Sequence, residues 1–192
     1  MDRATKYAED VISGKVVAGQ PHIQACKRHL DDLAKEGTSE FPYIWKPEKS
    51  QHIIDFAETL TIAEGTEPKS IHLFDSQCFD LGVPMGWVKM DSGNRRFRRS
   101  YESLARQNGK TFKNGIRGAY ISGFSGYNYG KLFTAATKQR QANIAFDEIA
   151  KFINIDKDLS DLFKVQSYKH MITALNTNCT IEALSKESGL DD

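Results

Sequence analysis

Cysteine is scarce in this 192-residue chain: Cys26, Cys78 and Cys179 stand far apart and form no Cys-x-x-Cys pair. An odd number at such separations excludes a disulfide framework and a thiol-based zinc or redox motif, so reduced thiols are expected. Long apolar runs are also lacking. The longest stretch free of Asp, Glu, Lys and Arg, 118–130, has 13 residues and four glycines, too short and too interrupted to span a bilayer. Nor is there an apolar signal segment at the N-terminus, which Asp2, Arg3, Lys6, Glu9 and Asp10 keep charged. The chain therefore reads as cytosolic, without a membrane anchor. Internal repeats and low-complexity tracts are missing. What is present, 40% hydrophobic and 27% charged residues, is the composition of a globular protein.

A formal net charge of +1 conceals an uneven distribution. Residues 1–68 hold 8 basic and 12 acidic side chains, and residues 147–192 hold 5 and 9. Between them, 89–117 carries nine basic residues (Lys89, Arg95, Arg96, Arg98, Arg99, Arg106, Lys110, Lys113, Arg117) against Asp91 and Glu102, a net of +7. Such a block attracts polyanions, nucleotide phosphates or a nucleic-acid backbone. The other reading is a solvated face compensated by acidic flanks.

The first third is expected to be helical over 4–13, 23–35 and 47–60, with Gly14 and Gly37 as stops and Pro47 as a first helical residue. The polar stretch 64–70, with one Gly and one Pro, reads as a linker. Beyond it, a short helix over 74–81 leads through Val83-Pro84-Met85-Gly86-Trp87 into the basic block. The pattern then predicts a strand at 97–104, a helix at 110–122, a strand at 131–137 and a helix at 138–153. Strands alternating with helices imply a mostly parallel α/β sheet. Residues 165–175 and 180–184 flank Asn176-Thr177-Asn178 as a hairpin.

The chemically informative segment is Leu104-Ala105-Arg106-Gln107-Asn108-Gly109-Lys110-Thr111, between the expected strand and helix. In a phosphate-binding loop, glycine lets backbone N–H groups close around phosphate oxygens and the helix N-terminus adds its positive dipole end. The lysine reaches the β- and γ-phosphates, and the hydroxyl ligates Mg2+. This is a Walker A signature with one departure, since the general pattern wants glycine where Leu104 stands. An incidental turn is the competing reading.

These residues, with Gly86-Trp87, Arg95-Arg96-Phe97-Arg98, the stretch Phe133-Thr134-Ala135-Ala136-Thr137-Lys138-Gln139-Arg140-Gln141-Ala142, and Ala4-Thr5-Lys6-Tyr7-Ala8-Glu9-Asp10-Val11 and Cys26-Lys27-Arg28-His29-Leu30 near the N-terminus, resemble the large terminase subunit of tailed bacteriophages. The family's deviant, arginine-bearing Walker A loop accounts for Leu104. The resemblance implies an incomplete P-loop NTPase core of the α/β class, three-layer αβα, over 67–192, preceded by a helical N-terminal accessory segment, 1–66. It implies ATP and Mg2+ as cofactors and packaging of double-stranded viral DNA as the task. Portal protein, small terminase subunit and further copies of the chain would be its partners, and the host cytoplasm its location.

Carried over by resemblance, Lys110 binds the β- and γ-phosphates, Thr111 holds Mg2+, and Gln107, Asn108 and Gly109 supply loop backbone. Arg106 stabilises transition-state charge at the γ-phosphate or is simply a loop charge. Gln77 stands where the family has an adenine-reading glutamine, although Ser76 replaces the usual preceding aromatic; the alternative is a helix-surface residue.

A Walker B strand, apolar residues ending in Asp-Glu, has one candidate in Ile144-Ala145-Phe146-Asp147-Glu148. The apolar spacing of Ala142, Ala145, Phe146, Ile149, Phe152 and Ile153 assigns it to a helix instead. Asp191-Asp192 lacks a preceding apolar strand. In the family, Walker B follows a segment like Ile181-Glu182-Ala183-Leu184-Ser185, so the resemblance implies a chain truncated before that motif and before the nuclease domain. Nucleotide binding is then expected, whereas full turnover and nuclease activity are not. Competing functions are a non-catalytic basic nucleic-acid-binding module, or part of another P-loop ATPase such as a helicase. His22, Cys26 and His29 share a helical face at zinc-compatible spacing, but without a fourth ligand they read as a half-buried cysteine between two surface histidines. Arg95, Arg96, Arg98 and Arg99 are candidate DNA-phosphate contacts, although alternation along a strand would divide them between two faces.

Overall fold

The computed structural model describes residues 2–62 and 69–185. In chain order these form α1 (Arg3–Ile12), α2 (Gln20–Leu33), β1 (Tyr43–Trp45), α3 (Pro47–Thr59), β2 (Thr61–Ile62), β3 (Lys69–Ser70), α4 (Asp75–Gly86), β4 (Trp87–Lys89), α5 (Lys110–Gly123), β5 (Lys131–Ala136), α6 (Gln139–Ile155), α7 (Lys157–Leu162), β6 (Phe163–Gln166), β7 (Met171–Ala174) and β8 (Cys179–Ser185). This is a mixed α/β fold with a helical N-terminal region and a central sheet, consistent with a P-loop NTPase-like core. Two compact units result: Met1–Glu58 with His72–Glu102, and Thr59–Ile71 with Ser103–Asp192. The expected boundary at 66/67 and positions 64–68 of the expected linker lie outside the described residues. Lys69 and Ser70 form β3, antiparallel to β2. No helix among the described residues is long and apolar enough to cross a membrane.

In the first unit, Asp2 caps α1 by accepting from the Thr5 N–H at 2.9 Å, which satisfies one orphan donor of the first turn. Ala4, Tyr7, Ala8 and Val11 then recur at helical spacing and are all buried. Helix α2 starts three residues before the expected position, because Pro21 sits in its first turn, where a missing N–H removes no bond. Helix α4 runs past the expected end at 81 to Gly86, with Pro84 inside it. A proline this close to the C-terminus leaves little helix to disrupt.

Strands β1 and β4 pair antiparallel and place Trp45 opposite Trp87. Their rings lie 5.6 Å apart, and His29 and Phe79 join the same cluster. Gly86 makes room for it: a Cβ there would fall 2.3 Å from the Trp45 ring. Segment 97–104 is not a strand, contrary to expectation. After a bridge between Val88 and Arg95, and an Arg96 N–H to Trp87 carbonyl bond of 2.9 Å, Phe97 packs half-buried against this aromatic core. Phe97 is thus held by rings rather than by a strand partner, while Arg98 to Tyr101 are exposed.

The second unit holds a four-stranded sheet of order β5-β8-β7-β6. Strands β5 and β8 are parallel, separated in the chain by α6, α7, β6 and β7, whereas β6, β7 and β8 meander antiparallel. The sheet is thus mixed among the described strands rather than mostly parallel. Short turns at 167–170 and 175–178 allow only antiparallel neighbours, since a parallel connection needs a crossover. Along β8, alternate residues Cys179, Ile181, Ala183 and Ser185 are buried. Helix α6 turns Ala142, Phe146, Ile149, Phe152 and Ile153 inward, as its periodicity predicts. Gly115 and Gly118 of α5 lie against α6; a Cβ at Gly118 would be 2.6 Å from Ile149 Cδ1.

Candidate functional site

Segment 104–109 ends at Gly109, the N-cap of α5, in the left-handed conformation at φ 70° and with no side-chain cap. Glycine takes this backbone without the clash that a Cβ brings. Gln107 is also left-handed, at φ 63°, so two inverted residues two positions apart curl the backbone ahead of the helix. The first intrahelical bond, Lys113 N–H to Gly109 carbonyl, is 2.9 Å. Upstream of it, N–H groups of the first turn have no intrahelical acceptor, and the 14-residue helix presents its positive dipole end there.

Lys110 folds back over the loop. Its Nζ donates to the carbonyls of Leu104 and of Ala105, the latter at 3.1 Å. Asn108 braces the turn through Nδ2 to the Arg106 carbonyl at 3.3 Å. Arg106, Gln107 and Asn108 are exposed, and Lys110 and Thr111 are half-buried. An ammonium, a guanidinium, a hydroxyl and uncapped backbone N–H groups are supplied by six consecutive residues. That donor set fits a polyphosphate with its divalent cation, because each element offers a donor or hard oxygen to phosphate or Mg2+.

The loop residues Arg106 to Thr111 thus come together in the second unit, whereas Gln77 belongs to the first. Gln77 sits three residues after the N-cap of α4, where its Oε1 accepts from the Phe74 N–H at 3.0 Å and its own N–H donates to the Phe74 carbonyl at 2.9 Å. Half of a reciprocal helix cap is therefore built from this amide.

The basic block has a divided fate. Arg96 pairs with Asp32 at 2.5 Å, and its guanidinium lies 4.6 Å from the Phe41 ring centre and 4.8 Å from that of Phe97. Arg95 donates to Met85 Sδ at 3.7 Å. Lys113 is 1% exposed, while Arg98 and Arg99 face solvent. Asp147 and Glu148 lie on α6, with Glu148 contacted by Lys151 at 3.4 Å, as the helical periodicity requires.

The two histidines beside Cys26 are not surface residues. His22 is half-buried and His29 is 1% exposed. Trp87 Nε1 can only donate, so His29 Nδ1 accepts from it at 2.9 Å; Nε2–H then donates to Thr5 Oγ1 at 3.0 Å, and Thr5 donates to Asp2 at 2.8 Å. Burial pushes His29 down to about 4 and the Cys26 and Cys78 thiols up to about 11. Neither thiol is a ready nucleophile near neutral pH. Among the described residues, no group of three or more His, Cys, Asp or Glu side chains is arranged to hold a metal.

Two features escaped the sequence reading: the carbonyl partners of Lys110 and the bonding of the 176–179 turn to α5. Only the Asn-Thr-Asn composition of that turn signalled anything, and it signalled a hairpin.

Residues 75–192 match the family model described as terminase large subunit, ATPase domain. A comparison with curated proteins gives no match. Among solved structures, the crystal structure of the HK97 bacteriophage large terminase aligns with a TM-score of 0.62 at 21% identity, over 75% of this chain and 29% of that one. The chain thus spans under a third of the length of that terminase and shares its fold. With the family model covering more than half of the residues and an uncapped, lysine-bearing helix N-terminus lying inside the match, the chain belongs to the family of terminase large-subunit ATPase domains.

Proposed function

We propose that loop 106–111 binds ATP with Mg2+, and that this chain is the nucleotide-binding part of a motor that moves double-stranded viral DNA into a capsid. The observation that supports this reading best is the uncapped N-terminus of α5, preceded by two left-handed residues and followed at once by Lys110. On binding, the Lys110 ammonium exchanges the carbonyls of Leu104 and Ala105 for β- and γ-phosphate oxygens. Charge-assisted bonds to phosphate are stronger than those to neutral carbonyls, which drives the exchange. Backbone N–H groups of Gly109, Lys110 and Thr111 would meet the same phosphates, and the Thr111 hydroxyl would hold Mg2+. Arg106 lies free to approach the outermost phosphate. Bound Mg2+ would neutralise charge on the β- and γ-phosphates.

Gln77 would read the adenine edge through Nε2, sharing its oxygen with Phe74. Segment 1–66 would act as the helical accessory part and 67–192 as the ATPase core. Portal protein, small terminase subunit and further copies of the chain would complete the assembly in the host cytoplasm.

Titration calorimetry with Mg·ATP tests the reading. Micromolar binding that Lys110→Ala abolishes supports it; absence of binding by the unsubstituted chain overturns it. A second reading, a nucleic-acid-binding module, is favoured by the exposure of Arg98 and Arg99. Salt-sensitive DNA binding indifferent to nucleotide would select it.

A further inference from the structure

Helix α5 is fastened at the end opposite the nucleotide loop. Thr177 Oγ1 donates to the Ser122 carbonyl at 2.6 Å, and Asn176 Nδ2 donates to the Gly123 carbonyl at 2.8 Å. Both acceptors are among the last four carbonyls of the helix, which have no intrahelical donor. Thr177 is 7% exposed. Its hydroxyl also accepts the Cys179 N–H at 3.2 Å, and its carbonyl accepts the Tyr129 N–H at 2.9 Å.

Cys179 extends the attachment, its Sγ accepting from the Gly130 N–H at 3.2 Å and donating to the Tyr127 carbonyl at 3.3 Å. Asn178, left-handed at φ 56°, closes the turn between β7 and β8. Residues 176–179, the end of the turn and the first residue of β8, therefore hold both the C-terminus of α5 and the stretch that leads from it to β5.

We propose that the 176–179 turn is a positioning clasp for the nucleotide loop, setting nucleotide affinity through the placement of α5. The inference rests on the nucleotide reading of that loop and deepens it. A helix transmits displacement because its own hydrogen bonds keep it stiff. A slip of one residue moves it about 1.5 Å along its axis and turns it by about 100°. Two adjacent carbonyls pinned by two side chains fix both quantities at once. At the other end, the N–H groups of 109–111 need placement to within about 0.5 Å to meet phosphate oxygens. Thr177 and Asn176 touch no phosphate; they act through α5. Linkage then requires that nucleotide bound at the loop tighten the clasp by the free energy with which the clasp tightens nucleotide binding.

The experiment is calorimetric titration of the full 192-residue chain with the Mg complex of a non-hydrolysable ATP analogue, combined with amide hydrogen exchange. Thr177→Val keeps the shape but removes the donor. Its affinity falls about fivefold, the equivalent of about 1 kcal/mol for one net hydrogen bond. Thr177→Ser restores the hydroxyl and brings affinity to within about twofold of the unsubstituted chain. In the unsubstituted chain, nucleotide slows exchange of the Cys179 and Thr180 amides; in Thr177→Val that slowing is lost.

If Thr177→Val does not fold, Asn176→Ala at its exposed position carries the test, with a loss of about two- to threefold supporting the clasp and unchanged affinity overturning it. A folded Thr177→Val with unchanged affinity, or a Thr177→Ser as weak as Thr177→Val, overturns the clasp and leaves the nucleotide reading standing. Absence of binding by the unsubstituted chain overturns both.

Discussion

The Lys110 ammonium lies 3.1 Å from the carbonyl oxygen of Ala105, five residues earlier in the chain, and also bonds the carbonyl of Leu104. The side chain that would grip phosphate thus holds its own loop closed, through donors that a more strongly charged acceptor can claim. Lys110→Ala removes these bonds together with the charge. Affinity for Mg·ATP falls at least tenfold, because charge-assisted bonds contribute about 1.5–3 kcal/mol each. Stability to urea changes by under about 1 kcal/mol, since the loop is largely exposed. Calorimetry and a denaturation curve read the two effects separately.

Acid should weaken the first unit through His29. Its folded value of about 4 lies below the ordinary 6.5, because burial disfavours the charged ring. The unfolded chain therefore binds the proton first. The stabilising contribution is complete above about pH 6.5 and is lost as pH falls towards 4, by on the order of 3 kcal/mol. Urea midpoints at pH 7, 5.5 and 4.5 should decline accordingly. A midpoint independent of pH between 7 and 4.5 would contradict the buried, neutral ring.

Gly86→Ala should be costly although it adds only a methyl group. The new Cβ would stand 2.3 Å from Cζ3 of Trp45, inside a cluster that holds Trp87 and His29 as well. Overpacking of this kind costs about 1–3 kcal/mol. Thermal denaturation should show a lowered midpoint, with Trp fluorescence altered in the native state.

Arginines two and three positions apart should separate by phenotype. Arg96 and Asp32 have 17% and 7% of their side-chain surfaces exposed, so Arg96→Ala leaves a buried carboxylate unpaired and destabilises by about 3 kcal/mol. Arg98→Ala and Arg99→Ala, at exposed positions, should leave stability within about 0.5 kcal/mol. If either contacts DNA phosphate, its removal lowers the salt dependence of DNA binding by about one unit of slope. Urea denaturation and filter binding across a salt series distinguish the two classes.

Local order was legible in the residues. Ala4, Tyr7, Ala8 and Val11, and likewise Ala142, Phe146, Ile149 and Ile153, sit at helical spacing because a helix must turn one face inward. Gly109-Lys110-Thr111 marked the start of α5, and its permissive backbone, cation and hydroxyl in three consecutive residues are what the phosphate-loop proposal rests on. Asp147 and Glu148 were assignable to a helix for the same local reason.

Tertiary structure decided what depends on residues far apart in sequence. Segment 97–104 was expected to be a strand, yet Phe97 joins rings supplied from positions 41, 45 and 87. Arg96 ceased to be an available charge once Asp32 came beside it, across 64 positions. His29 became a neutral core residue because folding buried it, with Trp87 and Thr5 brought to its two nitrogens. The far end of α5 found its cap in Asn176 and Thr177, more than fifty positions away. Periodicity and short motifs follow from the chain's own geometry over a few residues. Burial and long-range pairing depend on which surfaces the folded chain brings together, and no local pattern encodes that.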